Sequence, residues 1–171
     1  MTNTFAELDR DPAGVVRGLW VRRAALTLLG LLVVAPAALN GFGQRPAERA
    51  ASAPAATLRL SAPERVRGGL FFQSRIDVRA ARAIDHPRVV LDPGWLEGMQ
   101  VNSIEPAPVG EASRDGRVVL SSDALEAGDV LRVWLQFEVN PTNVGRRSYA
   151  VELDDAERPV ARVAPKITVL P

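Results

Sequence analysis

His86 is the only imidazole in the chain, and it sits in Asp85-His86-Pro87, which reads as a turn. A lone histidine leaves a serine nucleophile one possible base and excludes a multi-histidine metal site. Ser74, Ser103 and Ser148 fall in extended runs, and none stands in a G-x-S-x-G elbow. No P-loop, G-x-G-x-x-G or H-E-x-x-H motif occurs. The chain has no cysteine, so disulfides, thiolate zinc sites and cysteine nucleophiles are excluded. The expectation is a protein that is not an enzyme, with no catalytic, cofactor-binding or metal-ligating residues, and with His86 exposed in a loop.

Two acidic clusters come next, Asp154 with Asp155 and Glu157, and Asp123 with Glu126 and Asp129. Calcium takes about six to eight oxygens, which loops at the end of a sandwich can supply. Neither cluster has the spaced D-x-[DN]-x-[DN]-G pattern, and Asp is also an ordinary turn residue that bonds nearby backbone. The turn reading is preferred. No carboxylate spacing singles out a glycosidase pair.

Aromatics are the better lead. Trp134 falls on the polar phase of a strand, beside Arg132 and Gln136. Outward, it could stack on a sugar ring or anchor a protein partner; otherwise it packs under a loop or an extra strand. Trp95, after Asp92-Pro93-Gly94, has the same ambiguity, with a plug over one end of the core preferred. Arg146 and Arg147 form a basic tip after Gly145. The candidate interaction surface is therefore Trp134, Arg132, Gln136, Trp95, Arg146 and Arg147.

The elements that must position these residues are legible from periodicity. From Thr57 onward apolar and polar residues alternate. Examples are 70–80, 131–139 and 149–153, with shorter runs at 88–91, 99–104, 117–120 and 160–169. One apolar and one polar face per strand marks antiparallel sheets packed together. Asp92-Pro93-Gly94, Asp115-Gly116 and Asn140-Pro141-Thr142-Asn143 supply turns between the runs. Seven or eight strands over 57–171 fit an all-β, immunoglobulin-like sandwich. Another sandwich topology or a small barrel is the alternative.

Before this domain, no charged side chain occurs between Arg23 and Arg45. About 20 helical residues span a bilayer core. The expected helix covers 12–43, with Asp11 as N-cap, an apolar core at 24–39 contacting lipid, and Pro36 as a point of bending. Trp20 suits a headgroup anchor. Gly14-x-x-x-Gly18 and Thr27 with Gly30 hint at lateral helix contact. A retained anchor is favoured over a cleaved signal peptide. The preceding residues include Glu7, Asp9 and Asp11, and Pro36 spoils the Ala35-Pro36-Ala37 site. Arg22 and Arg23 abut the apolar run, which places the N-terminal tail 1–11 in the cytoplasm and the domain outside. Residues 44–56, rich in Ala and Pro, read as a spacer.

The balance of 21 basic and 20 acidic residues argues against nucleic acid as a partner. Twenty of the basic residues are Arg, a bias that suggests a bacterial source. The apolar helix, the run LRLSAPERVRGGLFFQSRIDVRA, the strand VLRVWLQFEVNPTNVGRRSYAVELDD and the terminal ITVLP together resemble small bacterial single-pass membrane proteins. Those carry an extracytoplasmic immunoglobulin-like module of the adhesion or conserved-repeat type. The resemblance implies a display or interaction role with a protein partner in the membrane or envelope. It brings no catalytic motif. A glycan-binding module using exposed tryptophan is the alternative.

Overall fold

The computed structural model describes residues 12–39 and 45–171. The expected tail 1–11, its Asp11 cap and residues 40–44 lie outside the described residues. Helix α1 covers Pro12–Ala38, with Pro36 inside it. Its stretch Gly18–Ala38 is long and apolar enough to cross a membrane. Leu26, Leu29, Leu32 and Val34 are all exposed on it. The helix and the following residues form two separate compact units.

The second unit is all-β, as its alternation predicts. Two five-stranded sheets share one core. The first contains β1 (Pro46–Ser52), β2 (Ala56–Pro63), β4 (Phe71–Ala80), β6 (Met99–Glu105) and β9 (Val130–Val139), in the order β1-β2-β4-β9-β6. The second contains β5 (Pro87–Leu91), β7 (Gly110–Arg114), β8 (Arg117–Ser121), β11 (Val151–Asp155) and β12 (Arg158–Val163), in the order β12-β11-β5-β8-β7. Every pairing within these two sheets is antiparallel. A smaller third sheet joins β3 (Arg65–Arg67), β10 (Gly145–Ser148) and β13 (Lys166–Leu170), in the order β10-β13-β3. Its β13–β3 pairing is parallel.

There are thus thirteen strands among the described residues, more than the seven or eight expected. The added strands are mostly short, such as β3 and β10. One is a correction: residues 46–52, read as part of a spacer, form β1, paired over its full length from Pro46↔Pro63 to Ser52↔Thr57. The reason is physical. β1 is an edge strand whose inward positions include the small, half-buried Ala47 and Ala51. It needs no large apolar alternation to pair.

The core is built from the inward phase of each strand. Leu58 and Leu60 on β2, Ile76 and Val78 on β4, and Leu135 and Phe137 on β9 face Leu91, Leu153 and Ile167. Burying each such side chain contributes on the order of 1.5–3 kcal/mol against exposure. At one end the core is aromatic. Trp95 stacks on Tyr149 with ring centroids 3.4 Å apart, and Phe137 and Phe72 continue the cluster.

Candidate functional site

Trp95 is the clearest correction to the expected surface. It ends a 3-10 turn at Pro93–Trp95 and is completely buried. Its indole N–H donates to the Ala150 carbonyl at 2.9 Å, which satisfies its one polar atom. Gly94 lets this turn close. A Cβ there would stand 1.9 Å from the Ser148 carbonyl oxygen, so only glycine admits the backbone. The plug reading holds, and Trp95 is removed from any interaction surface.

Trp134 lies on the outer face of the first sheet and is half-buried. It pairs across to Arg75 on β4 and Glu105 on β6. The Arg75 guanidinium lies 5.4 Å from its ring centroid, so a cation already covers that ring face. Arg75 also meets Glu48 at 3.3 Å and Asp77 at 2.9 Å, and Asp77 accepts from Arg132 at 2.5 Å. Gln136 is exposed two positions along β9. The structure therefore brings Trp134, Arg132 and Gln136 onto one face but leaves no groove lined by two tryptophans.

Arg146 and Arg147 sit on β10. Arg146 is exposed, and Arg147 is half-buried with Glu97 at 3.5 Å. His86 is exposed between β4 and β5, and its backbone N–H donates to Asp155 Oδ1. Asp129 Oδ2 likewise accepts the Glu126 N–H. Both acidic clusters thus contain carboxylates that serve as turn acceptors.

The more developed site is one that sequence reasoning missed, on the outer face of the second sheet. A concavity of about 510 Å³ is lined by Arg88, Val90, Arg117, Val119, Glu152 and Asp154, with Arg114 and Glu157 at its margin. Register explains the arrangement. Glu152, Val90 and Val119 lie in one cross-strand row, and Asp154, Arg88 and Ser121 lie in the next. The tetrapeptide RVVL occurs twice, at 88–91 and 117–120. Its copies pair antiparallel, with Val89 opposite Leu120 inside and Val90 opposite Val119 outside. Two adjacent apolar residues break strict alternation and give the groove an apolar floor. That doubled valine was the available signal. The charges around it come from distant strands and carry no local motif.

One side of this groove is electrostatically tied. Glu152 accepts hydrogen bonds from Arg117 and from Arg162, the latter at 3.3 Å. Asp92 accepts from Ser148 at 2.9 Å and from Arg162 at 3.1 Å. The hydrogen bond to Glu152 raises the Arg117 pKa, against the opposing effect of burial. The other side is less satisfied. Asp154 Oδ1 is buried without a hydrogen-bond partner. Burial and the neighbouring Glu152 charge raise its pKa, with Arg117 and Arg88 opposing. A bulge in the β11–β12 pairing falls between Leu153 and Asp154, a common way to re-aim a side chain. Above the groove only the exposed Arg114–Glu157 pair closes the margin, at 3.1 Å. Such a pair contributes little and opens easily. A segment offering an N–H or a cation to Asp154 and an acid to Arg88 would match these charges over an apolar floor.

No protein-family model and no curated protein matches this chain. Among solved structures it is similar to a non-cellulosomal cohesin from the hyperthermophilic archaeon Archaeoglobus fulgidus, at 14% identity and a TM-score of 0.40. The match covers 63% of this chain and 86% of that one. A likeness at that level carries no function across.

Proposed function

We propose that this chain is a single-pass membrane protein, held by α1 with its N-terminus in the cytoplasm, whose sandwich binds a protein partner of the membrane or envelope. The observation that carries the binding role is the groove on the second sheet. It combines an apolar floor, fixed charges of both signs and an unpartnered acceptor on a sheet face. Sites on strands hold their groups more precisely than sites on loops. The proposed role is binding and not catalysis, because Glu152 and Asp92 are held in hydrogen bonds by arginines, and His86, the one imidazole of the chain, is not among the residues that line the groove. Anchoring is supported by the exposed apolar surface of α1, its length and the arginines at positions 22 and 23.

The test is site-specific photocrosslinking of the full-length chain in native membranes. A crosslinker replacing Val119 should give one discrete adduct, absent with the crosslinker at Gln136 on the other sheet and lost in an Arg88→Glu variant. The same adduct from both positions would overturn the groove as the binding site. A phosphatase fused after Pro171 should be active outside the membrane, and an inactive fusion would overturn the orientation. A mature N-terminus at Ala38 would overturn the anchor.

A further inference from the structure

The second unit is formally neutral, with 17 basic and 17 acidic residues from Gly41 onward, yet its charges are not evenly placed. On the three-stranded sheet, Val66, Ile167 and Val169 point into the core. The opposite face presents Arg65 and Arg146, one on each side of Thr168 in a single cross-strand row. Lys166 stands two residues before Thr168, on that same face, opposite Ser148. All three cations are exposed, and none has an ion-pair partner among the described residues. The neighbouring acids Glu64 and Glu97 are already engaged, by Arg49 and Arg147.

This face has an apolar rim. A tight turn after β3 leads to Leu70 and Phe71, and Phe71 is 65% exposed. Val144, immediately before β10, is 54% exposed. The rim lies at the end of the sandwich where β1 begins, since Pro46 pairs with Pro63, two residues before β3. Leu39 and Pro46 are seven residues apart, and a chain of that length reaches at most about 25 Å. Cations next to exposed apolar side chains, tethered within that reach of a membrane helix, are the composition that binds anionic headgroups.

We propose that the outer face of the three-stranded sheet, with Leu70, Phe71 and Val144 as its rim, docks on an anionic lipid surface. The proposal rests on reading α1 as an anchor. It would restrict the orientation of the sandwich, so that the groove on the second sheet is offered to partners sideways along the membrane.

Because the chain has no cysteine, one introduced cysteine carries a nitroxide uniquely. The full-length chain is reconstituted in phosphatidylcholine vesicles containing phosphatidylglycerol. It is labelled in turn at Phe71→Cys, Val144→Cys, Leu29→Cys and Ala127→Cys, the last at the opposite end of the sandwich. Labels at 71 and 144 should be at least about threefold less accessible to an aqueous nickel chelate than the label at 127. The shielding should fall away in purely zwitterionic vesicles and in an Arg65→Gln, Arg146→Gln, Lys166→Gln variant. A lipid-exposed label at 29 with equal accessibility at 71, 144 and 127 would overturn the docking and leave the anchor standing. A water-exposed label at 29 would overturn both. Shielding unchanged in zwitterionic vesicles would overturn the cationic face as its cause. The lipid arm needs no charge variant, so a variant that failed to fold would not remove the test.

Discussion

The outer faces of the two five-stranded sheets obey the same alternation and end differently. On the first, charges lie flat in a ladder in which Glu48, Arg75, Asp77 and Arg132 neutralise one another and Arg75 covers Trp134. On the second, the floor is apolar, the face is concave, and Asp154 keeps an unpartnered oxygen. The contrast teaches that outward phase does not decide whether a face is open for binding. What decides it is how the outward charges are arranged, flat in mutual ion pairs or around a hollow. The first face is laced flat by its own ion pairs, and the second sets its charges around a hollow that holds an unpartnered Asp154 oxygen.

The severest way to break this comparison is to remove what both faces stand on. Trp95→Ala deletes a fully buried ring stacked on Tyr149 and tilted against Phe137 and should cost about 3–5 kcal/mol. Denaturant unfolding followed by circular dichroism reads it, and a loss below about 1 kcal/mol would mean that the two sheets do not share one core. A sharper test is Glu152→Gln, which removes the carboxylate held by Arg117 and Arg162. We expect a loss of about 1–2 kcal/mol. No loss would make the tied side of the groove as dispensable as the first face.

Tyr149→Phe comes next, at about 1 kcal/mol, because it strands the Ser74 hydroxyl 2.7 Å away in the core. Burial pushes the Tyr149 phenol well above its ordinary value of 10.0, with the Ser74 hydrogen bond opposing. A phenol whose folded pKa is raised stabilises the protein below its unfolded pKa, and that stability is lost as pH rises above it. The wild type should therefore lose stability above about pH 10, and Tyr149→Phe should flatten that limb.

Asp154 gives a smaller effect with a definite sign. Its folded pKa lies above the ordinary 3.8, raised by burial first and by the Glu152 charge second. Its contribution is fully present below pH 3.8 and is lost as pH rises through the folded pKa. Asp154→Asn should raise the denaturation midpoint at pH 7 and leave it unchanged at pH 3, and the reverse pattern would remove the groove's unsatisfied group. The smallest effect belongs to the first face. Arg132→Ala should cost under about 1 kcal/mol and less still in high salt. A loss as large as that of Glu152→Gln would erase the contrast between the faces.

How far these features could be read in the sequence varies with the reach of the interaction. Strands β4, β9 and β11 were legible because apolar and polar residues strictly alternate over 70–80, 131–139 and 149–153. α1 was legible because no charge interrupts 24–44. β1 was not, since Pro46-Ala47-Glu48-Arg49-Ala50-Ala51-Ser52 has the composition of a spacer and brings no large apolar side chain to the core. Trp134 was placed on the outward face by phase alone. Trp95 sits outside any period, and only the tertiary closure around Gly94 and Ala150 buries it. The groove escaped because it needs Arg88, Arg117 and Asp154 brought together from β5, β8 and β11, strands far apart in the chain, and alternation carries no register.

The full pairing of β1 with β2 also bears on how the sandwich carries load. Residue 45 precedes the first pair of that ladder, Pro46↔Pro63, and the ladder runs on to Ser52↔Thr57. Tension drawn through the chain along the strand loads the ladder in shear, so many hydrogen bonds resist together. Tension drawn across the strand would peel them one at a time. A segment with the composition of a spacer is therefore the mechanical root of the sandwich, and its strength depends on the direction of the pull.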